Sequence, residues 1–437
     1  MPLPASMPRR LDASAPGFAA DFETLLADRE AVTDDVSGVV RDILEDVRTR
    51  GDAALVDYTL RFDKLDLGKT GIRFADAEID KAAASIPAET REALELAAKR
   101  IEAFHRRQVP ADFGFDDEDG VTLGLAWKPV DAVGLYVPGG RAAYPSSVLM
   151  NAIPAKVAGV TRLAMVVPTP NGVVNPLVLA AARLAGVDEV YRVGGAQAVG
   201  ALAYGTKTIA AVDKIVGPGN AYVATAKRMV FGRVGIDSIA GPSEILVVAD
   251  RDNDPAWIAA DLLSQAEHDP VAQSVLIADD PAFIDAVMEA AESHLRSLAT
   301  SEVARASWQN HGSAILVRRL DDAPALIDRL APEHLELAIA DPKPFAAKIR
   351  HAGAIFLGRH TPEAIGDYVA GPNHVLPTSR TARFSSGLSV FDFLKRTTVV
   401  GCTADALARI GPAAIRLAEA EGLPAHARSV AIRLNRR

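Results

Sequence analysis

The sequence has very little cysteine, because Cys402 is the single thiol among 437 residues. One thiol excludes internal disulfides and cysteine-rich metal sites, and it is typical of proteins that work in a reducing compartment. We therefore expect a cytoplasmic location.

Basic charge is also scarce. The 47 lysines and arginines are outnumbered by 56 aspartates and glutamates, which leaves a formal net charge of −9. Proteins that bind nucleic acids or anionic membrane surfaces usually carry an excess or a cluster of basic residues. The charge balance therefore argues against nucleic acid and against a membrane surface as partners.

Long hydrophobic runs are absent as well. No apolar stretch reaches the roughly 18 residues that a membrane-spanning helix needs. Residues 1–18 include two arginines but no apolar core of the kind found in secretory signals, so we expect neither an export signal nor an anchor. Hydrophobic residues make up 49% of the chain and charged residues 24%, which is ordinary for a globular protein with a large core.

The glycine fingerprint of a dinucleotide site, G-x-G-x-x-G, is missing. Its nearest match, VGPGNAY, has Tyr222 in place of the third glycine. Paired glycines instead mark three expected strand-to-helix turns, at Gly139 and Gly140, Gly194 and Gly195, and Gly217 and Gly219. Glycine lets backbone approach a ligand beside a helix N-terminus, where amides favour anions. Each turn alone is ordinary, but three together predict a phosphate-bearing ligand.

The hydrophobic pattern predicts the fold class. Apolar residues three and four apart predict mainly helical structure over residues 17–65 and 76–108. From about residue 132 short apolar strands alternate with helices, and a second run of the same kind begins near residue 244. We expect an α/β fold with two incomplete Rossmann-like parallel-sheet units, a helical N-terminal part and a small C-terminal segment. The sequence similarity between the two parallel-sheet units is too weak to establish that they arose by duplication.

The segment SQAEHDP carries candidate metal ligands. Gln265 and His268 lie three residues apart at an expected helix end, so both side chains can face one point. Together with Asp367 and His426 they form a nitrogen and oxygen donor set suited to zinc or another divalent ion. Spacing alone favours the alternative, a capped and solvent-facing helix end.

The segment APEHLEL carries candidate acid–base residues. Pro332 ends the preceding helix, and Glu333 and His334 stand at the junction with a short apolar strand. A carboxylate beside an imidazole provides two groups that can act as bases near neutral pH. An ordinary polar loop before a strand explains the same pattern about equally well.

Cys402 is a candidate nucleophile, since aldehyde oxidation can proceed through a cysteine thiohemiacetal. It follows the apolar residues TTVV, and no base is near it in the sequence. We therefore expect a buried structural thiol.

Several long motifs, taken in order, resemble those of the histidinol dehydrogenases. They are GLYVPGGRAAYPSSVLMNAIPAKVAGV, VGGAQAVGALAYGT, KIVGPGNAYVATAKR, IAGPSEILVVAD, DLLSQAEHDP, APEHLEL, GDYVAGPNHVLPTSRTARFSSGLSV and EGLPAHA. The similarity extends over nearly the whole chain, from about residue 20 to the C-terminal helix. One minor departure is Ser238, which stands where the family usually has a hydrophobic residue.

The resemblance implies a zinc-dependent enzyme that oxidises L-histidinol to L-histidine through the aldehyde, with two NAD as hydride acceptors, in the last steps of histidine biosynthesis. It implies zinc ligation by Gln265, His268, Asp367 and His426, and acid–base catalysis by Glu333 and His334. It implies NAD contacts at Tyr136, Gln197 and Asn220. It implies substrate contacts at Ser243, Glu421, His334 and the four zinc ligands. We expect His374 to act only through its neighbours.

The resemblance also implies an intertwined homodimer in which the C-terminal segment completes the partner's site, so that His426 and Glu421 act across the interface. We expect an N-terminal arm over residues 1–30 and a first α/β domain from 31–133 with 241–380, which holds the metal and acid–base residues. A second, NAD-binding α/β domain is expected over 134–240. Residues 381–437 form the C-terminal segment.

Other functions stay open on the residues alone. One is a dehydrogenase of the same scaffold that acts on another polyol or a sulfonated alcohol. Glu421 and the ligand histidines suit a cationic imidazole-amine and so favour histidinol. Another is a zinc hydrolase in which Glu333 activates water without NAD, against which the expected NAD contacts argue. A non-catalytic binding protein fits the many acid–base groups least well.

Overall fold

The computed structural model describes residues 8–28, 35–139, 144–239 and 241–435. Gly140 of the first glycine turn and parts of the expected N-terminal arm lie outside these residues. The described strands are β1 (Arg9–Asp12), β2 (Phe113–Asp116), β3 (Val121–Pro129), β4 (Ala132–Tyr136), β5 (Arg162–Val166), β6 (Glu189–Tyr191), β7 (Lys214–Val216), β8 (Gly235–Ile236), β9 (Glu244–Ala249), β10 (Gln273–Ala278), β11 (Ser313–Leu316), β12 (His334–Ala338), β13 (Ala354–Leu357) and β14 (Leu394–Cys402).

The α-helices of the described ranges surround these strands. They are α1 (Phe18–Asp28), α2 (Ser37–Arg50), α3 (Asp52–Asp63), α4 (Leu67–Thr70), α5 (Asp76–Ser85), α6 (Ala88–Arg106), α7 (Pro145–Ala158), α8 (Pro176–Leu184), α9 (Gly195–Tyr204), α10 (Ala221–Val230), α11 (Pro255–Ala266), α12 (Pro281–Leu295), α13 (Ser301–His311), α14 (Pro324–Leu330), α15 (Pro342–Ala346), α16 (Glu363–Tyr368), α17 (Ala404–Ala420) and α18 (Pro424–Arg433). None of them is both long and apolar enough to cross a membrane.

The strands form two parallel sheets and one small antiparallel sheet. The five-stranded parallel sheet has the order β6-β5-β4-β7-β8, and the six-stranded parallel sheet has the order β1-β11-β10-β9-β12-β13. Helices cover both faces of each parallel sheet, so the central strands are apolar on both sides and almost fully buried. The expected α/β class with two parallel-sheet units is therefore confirmed.

The helices of residues 37–106 pack against the five-stranded sheet, whereas we expected residues 31–133 to group with 241–380. Val40, Ile43, Leu44 and Val47 of α2 share one core with strands β4 to β7 and helix α9. Gly200 of α9 allows this close approach, because a Cβ there would lie 3.2 Å from the Leu44 side chain. The apolar stripe of α2 decides the grouping, since it is buried against α3, α9 and α10.

The first and the last strand of the described chain each join a sheet edge: β1 joins the six-stranded parallel sheet, and β14 joins the antiparallel sheet. β1 lies parallel to β11 at the edge of the six-stranded sheet, although the sequence pattern predicted no strand there. β14 pairs antiparallel with β3 over nine residues, and β3 pairs with β2. Helices α17 and α18 pack on each other beside β14. From β14 onward, the C-terminal segment is thus joined to the rest of its own chain mainly through one antiparallel strand pair.

Candidate active site

The polar residues that the sequence singled out converge at the amino end of the six-stranded sheet. His334 is the first residue of β12, and Gln265 lies in the last turn of α11, which leads into β10. Asp254 accepts the Ala256 N–H at 2.8 Å and Pro255 follows, so the start of α11 is fixed by its cap. α16, which carries Asp367, contacts α11.

His334 presents one ring nitrogen to the site. Its Nδ1 lies 2.9 Å from the carbonyl oxygen of Glu244, which can only accept, so Nδ1 carries the proton. Nε2 is therefore the basic nitrogen, and it is buried without a hydrogen-bond partner in the described part of the chain. Burial lowers the pKa of His334, although Asp367 opposes this shift. The ring is thus a neutral base with a fixed tautomer.

Glu333, like its neighbour His334, is hydrogen-bonded to the backbone of Glu244. The backbone N–H of Glu244 donates to Glu333 Oε2 at 2.9 Å, and His334 Nδ1 lies 3.6 Å from that oxygen. Burial raises the pKa of Glu333 well above its usual range, and nearby carboxylates raise it further. Glu244 therefore orients both expected acid–base residues, one through its backbone N–H and the other through its backbone C=O.

A buried carboxyl group, Glu363, and a partly buried one, Asp367, face the His334 ring. Glu363 Oε1 and Asp367 Oδ1 lie 3.7 and 3.9 Å from His334 Nε2. Burial, and after it the nearby Asp367, raises the pKa of Glu363 to about 9. One ligand atom from each of His334, Glu363 and Asp367 lies within 4.8 Å of the other two, a spacing that can hold a metal ion.

Gln265 is buried at the edge of this cluster, with 1% of its surface exposed. Its Oε1 has no hydrogen-bond partner among the described residues, which is costly for a buried amide unless a ligand completes it. Ser264, one residue earlier, donates to Glu363 Oε2 at 3.2 Å and so links α11 to α16. His268 is exposed beyond the helix end. Burial lowers the pKa of His374, and the nearby His268 lowers it further, as it does the pKa of His334.

His374 contacts both the backbone and the carboxylate of Asp367. Its Nδ1 lies 3.0 Å from the backbone carbonyl oxygen of Asp367 and 3.8 Å from Oδ1. Its Nε2 lies 3.4 Å from the hydroxyl of Ser147 on α7, which packs against the five-stranded sheet. His374 therefore connects α16 to the other half of the molecule.

Glu421 and His426 are not brought to the cluster within this chain. Both are exposed, at the end of α17 and on α18. Among the described residues no hydrogen bond or ion pair joins either side chain to Gln265, His268 or Asp367. Ser243, in contrast, directly precedes Glu244, and its carbonyl oxygen accepts the Gln273 N–H at 3.0 Å.

The expected cofactor residues lie at the carboxyl end of the five-stranded sheet, where nucleotide ligands bind in α/β folds. Tyr136 ends β4, and its Oη accepts the Gly195 N–H at 3.0 Å. Burial raises the pKa of Tyr136 to about 12, so the phenol is neutral. Gln197 is buried on α9, and a Cβ at position 195 would lie 2.7 Å from its Oε1.

Asn220 begins α10 at the third glycine turn. Its Oδ1 accepts the backbone N–H groups of Tyr222 and Val223 at 3.1 and 3.2 Å, so it is the N-cap of the helix. The residue is exposed, and the cap uses only the oxygen of its amide. The capping role and a ligand contact through the amide NH2 are therefore compatible.

Cys402 differs from the expectation of a buried thiol. It is the last residue of β14, and it is exposed. The apolar run TTVV suggested burial, but β14 is an outer strand of a three-stranded sheet with a largely exposed surface. The strand pattern alone does not reveal this, because the residues that would cover β14 are not local in sequence.

Comparison with known proteins identifies the family. A sequence profile of the histidinol dehydrogenases matches residues 26–434. The chain belongs to the histidinol dehydrogenase family. Curated histidinol dehydrogenases from Rhodospirillum rubrum and Gluconobacter oxydans are 69% and 61% identical to it; each covers 98% of this chain, and the matches span 99% and 100% of those proteins.

The crystal structure of histidinol dehydrogenase from Elizabethkingia anophelis is also similar to this chain. The two have a TM-score of 0.93 at 37% identity, and the match covers 98% of each chain. The resemblance predicted from motif order is therefore confirmed, and the protein is an enzyme of the histidinol dehydrogenase type.

Sequence reasoning missed Glu363 and Glu244 in this histidinol dehydrogenase site. Glu363 lies four residues before Asp367 on α16, a spacing that places both on one helix face. That signal was present, but it is common on solvent-facing helices. Glu244 acts through its backbone, and no side-chain pattern predicts such a role.

Proposed function

We propose that this chain catalyses the zinc-dependent four-electron oxidation of L-histidinol to L-histidine, with two NAD as acceptors, in the last steps of histidine biosynthesis. The observation that carries the proposal is the pairing of His334 and Glu333 on the backbone of Glu244, beside buried oxygen donors that lack hydrogen-bond partners among the described residues. A hydrolase would need only one water-activating group. Two oxidations with a hydration between them need a base for the alcohol and a base for water.

The donor set fits zinc. Gln265 Oε1 is buried without a partner in the described ranges, and a bound ion accounts for such an orphan atom. We assign zinc ligation to Gln265, His268 and Asp367, with His426 as the fourth. When bound, zinc supplies a fixed electrophile that holds the amine and imidazole nitrogens of histidinol and so orients its CH₂OH group.

His426 and Glu421 are assigned to the active site of the partner subunit in a homodimer. Both lie on the C-terminal helices, away from the cluster of their own chain. Large apolar side chains are exposed on this segment, with Val400, Leu417 and Ile432 each 64% exposed. Such a surface is typical of a region that another subunit covers. Glu421 then meets the cationic part of the substrate, and Ser243 contacts it beside Glu244.

The chain's own residues perform the proton transfers. In the first oxidation His334 accepts the alcohol proton at Nε2, the nitrogen left free by its bond to Glu244. Glu333, held beside His334 by the N–H of Glu244, then takes a proton from the water that adds to the aldehyde. His334 accepts the hydroxyl proton again in the second oxidation. Water contributes the second oxygen of the product carboxylate.

NAD supplies the acceptor for each hydride, and we assign its binding to Tyr136, Gln197 and Asn220. The N-terminal ends of α9 and α10 lie beside these residues, and the free backbone N–H groups of a helix N-terminus favour the phosphates of a dinucleotide. We also propose a cytoplasmic location, because an exposed single thiol suits a reducing compartment.

The test is metal removal and restoration. Dialysis against a chelator should abolish histidinol-dependent NADH formation, and stoichiometric zinc should restore it, whereas magnesium should not. A panel of other polyols and sulfonated alcohols serves as the control for substrate class. Activity that survives complete metal removal, or faster oxidation of another alcohol, would refute the proposed function.

A further inference from the structure

A buried ion pair lies inside the domain of the five-stranded sheet. Lys227 is on α10 and Asp237 follows β8, and their side chains are only 3% and 4% exposed. Removing two charges from water is expensive, and an apolar pair of similar volume would often serve stability as well. A buried pair of this kind therefore calls for a function that apolar side chains cannot perform.

The two charged side chains are hydrogen-bonded to the backbone N–H and C=O of one residue, Gly217. Lys227 Nζ donates to the carbonyl oxygen of Gly217 at 2.9 Å. The Gly217 N–H in turn donates to Asp237 Oδ2 at 2.8 Å. Both backbone groups of this buried glycine are thus satisfied by one ion pair. Apolar side chains would leave them without these partners, at the full cost of desolvation.

Gly217 occupies a position that only glycine tolerates. Its φ of +114° lies outside the region that other residues favour, and a Cβ would lie 2.1 Å from the carbonyl oxygen of Tyr136. The residue follows β7 directly and stands three positions before Asn220. It therefore touches one proposed cofactor residue and leads into another.

The geometry points to Lys227 and Asp237 as positioning residues for NAD. As an ion pair they fix the turn of residues 217–220 against β4, and so hold Asn220 and Tyr136 where the cofactor binds. Glycine is the most flexible residue, so a turn that requires it needs outside restraint to keep one conformation. The inference rests on the proposed function, because it takes NAD as the ligand of this turn.

The decisive variant is the double change Lys227→Met and Asp237→Leu. It removes both side-chain hydrogen bonds to the Gly217 backbone. It leaves no unpaired charge in the core, which a single change would do. In zinc-loaded enzyme we expect the Kd for NAD, measured by calorimetry, and the KM for NAD to rise about tenfold or more, with kcat at saturating NAD little changed. Zinc content and the Kd for L-histidinol should stay at wild-type values.

The matched control is Lys214→Met, on the strand β7 that directly precedes Gly217. Lys214 begins β7, at the end opposite Gly217, and its Nζ contacts the Asp392 carboxylate at 3.2 Å. Losing this partly buried ion pair should lower the melting temperature without changing the Kd for NAD. A partial rescue variant is Lys227→Met with Asp237→Asn, since the asparagine oxygen can still accept the Gly217 N–H.

Each outcome decides the matter. Wild-type NAD affinity in the folded Lys227→Met, Asp237→Leu enzyme would overturn the positioning role and leave the proposed function intact. Equal losses of affinity for NAD and for histidinol would also overturn it, because they would indicate a general structural defect. If the wild-type enzyme bound no NAD at all, the proposed function would be wrong. The role of Lys227 and Asp237 in positioning NAD would then be wrong as well.

Discussion

At the scale of single residues, the chemistry depends on the backbone of one residue, Glu244. The N–H of Glu244 donates to Glu333 while its carbonyl accepts from His334, so one backbone unit fixes a carboxylate and an imidazole tautomer together. The sequence indicated both side chains because of their position at a loop-to-strand junction. It could not indicate Glu244, since the parallel pairing of β9 and β12 that brings it there is not local.

Changing Glu333→Gln should separate the two oxidations. The first NADH should still form rapidly at each site, because His334 remains, whereas steady turnover should slow by a factor of about 10² to 10⁴ as aldehyde hydration loses its base. Rapid mixing followed at the NADH absorbance measures both phases. A near wild-type kcat in this variant would contradict the role of Glu333.

Changing His334→Asn should instead slow both half-reactions. The amide cannot accept the alcohol proton, so the initial NADH phase should fall together with steady turnover, again by about 10² to 10⁴. Oxidation of added aldehyde, measured separately, should be slow as well. An initial phase at the wild-type rate would exclude His334 as the base of the first step.

His105, outside the active site, predicts a pH effect on stability. It is fully buried on α6, its Nδ1 lies 2.7 Å from the Ile101 carbonyl, and burial lowers its pKa. The unfolded chain therefore binds this proton more readily. The stability gained from a neutral His105 is present above the unfolded pKa of about 6.5 and is lost as the pH falls below that value.

His105→Leu should remove this component. Between pH 6.5 and 5 the free energy of unfolding of the wild type should fall more steeply than that of the variant, by up to about 1.4 kcal/mol per pH unit for one proton. Urea titrations at several pH values measure the two slopes. Parallel curves would mean that His105 does not titrate on unfolding.

At the scale of secondary-structure elements, local patterns predicted more than pairings did. The alternation of short apolar strands and helices located β4 to β7 and β9 to β13, because most of these strands are buried on both faces and so form continuous apolar runs. The edge strand β1 and the pairing of β14 with β3 join segments far apart in the chain, which no local pattern encodes. The grouping of α2 with α9 was missed for the same reason.

Helix α16 depends on a close contact at Gly366. A Cβ there would lie 2.4 Å from the ring of Phe356 on β13, so alanine should push the helix, with the proposed zinc ligand Asp367, away from the sheet. We expect Gly366→Ala to weaken zinc retention about 10- to 100-fold. Zinc content after dialysis against a graded series of chelator concentrations measures this change.

Gly38→Ala is the matched control for this variant. Gly38 lies on α2, where a Cβ would meet nothing within 4 Å. The control should retain zinc like the wild type and gain slightly in helix stability. Equal zinc retention in both variants would show that the position of α16 does not matter for the metal.

At the scale of the whole molecule, the proposed dimer predicts complementation. In a mixed dimer of a Glu333→Gln subunit and a His426→Asn subunit, one shared site carries both changes and the other carries neither. Mixing and refolding the two inactive variants should therefore restore about a quarter of wild-type activity, since half of the dimers are mixed. No recovery after confirmed subunit exchange would place His426 within its own subunit's site.

The most direct test of the central claim is the stoichiometry of the complete reaction. With limiting L-histidinol, excess NAD and zinc-loaded enzyme, we predict two NADH and one L-histidine for each histidinol consumed, without release of the aldehyde. This ratio follows from two bases at one site, His334 for the oxidations and Glu333 for the hydration between them. A ratio of one NADH, with aldehyde accumulating in solution, would contradict the account.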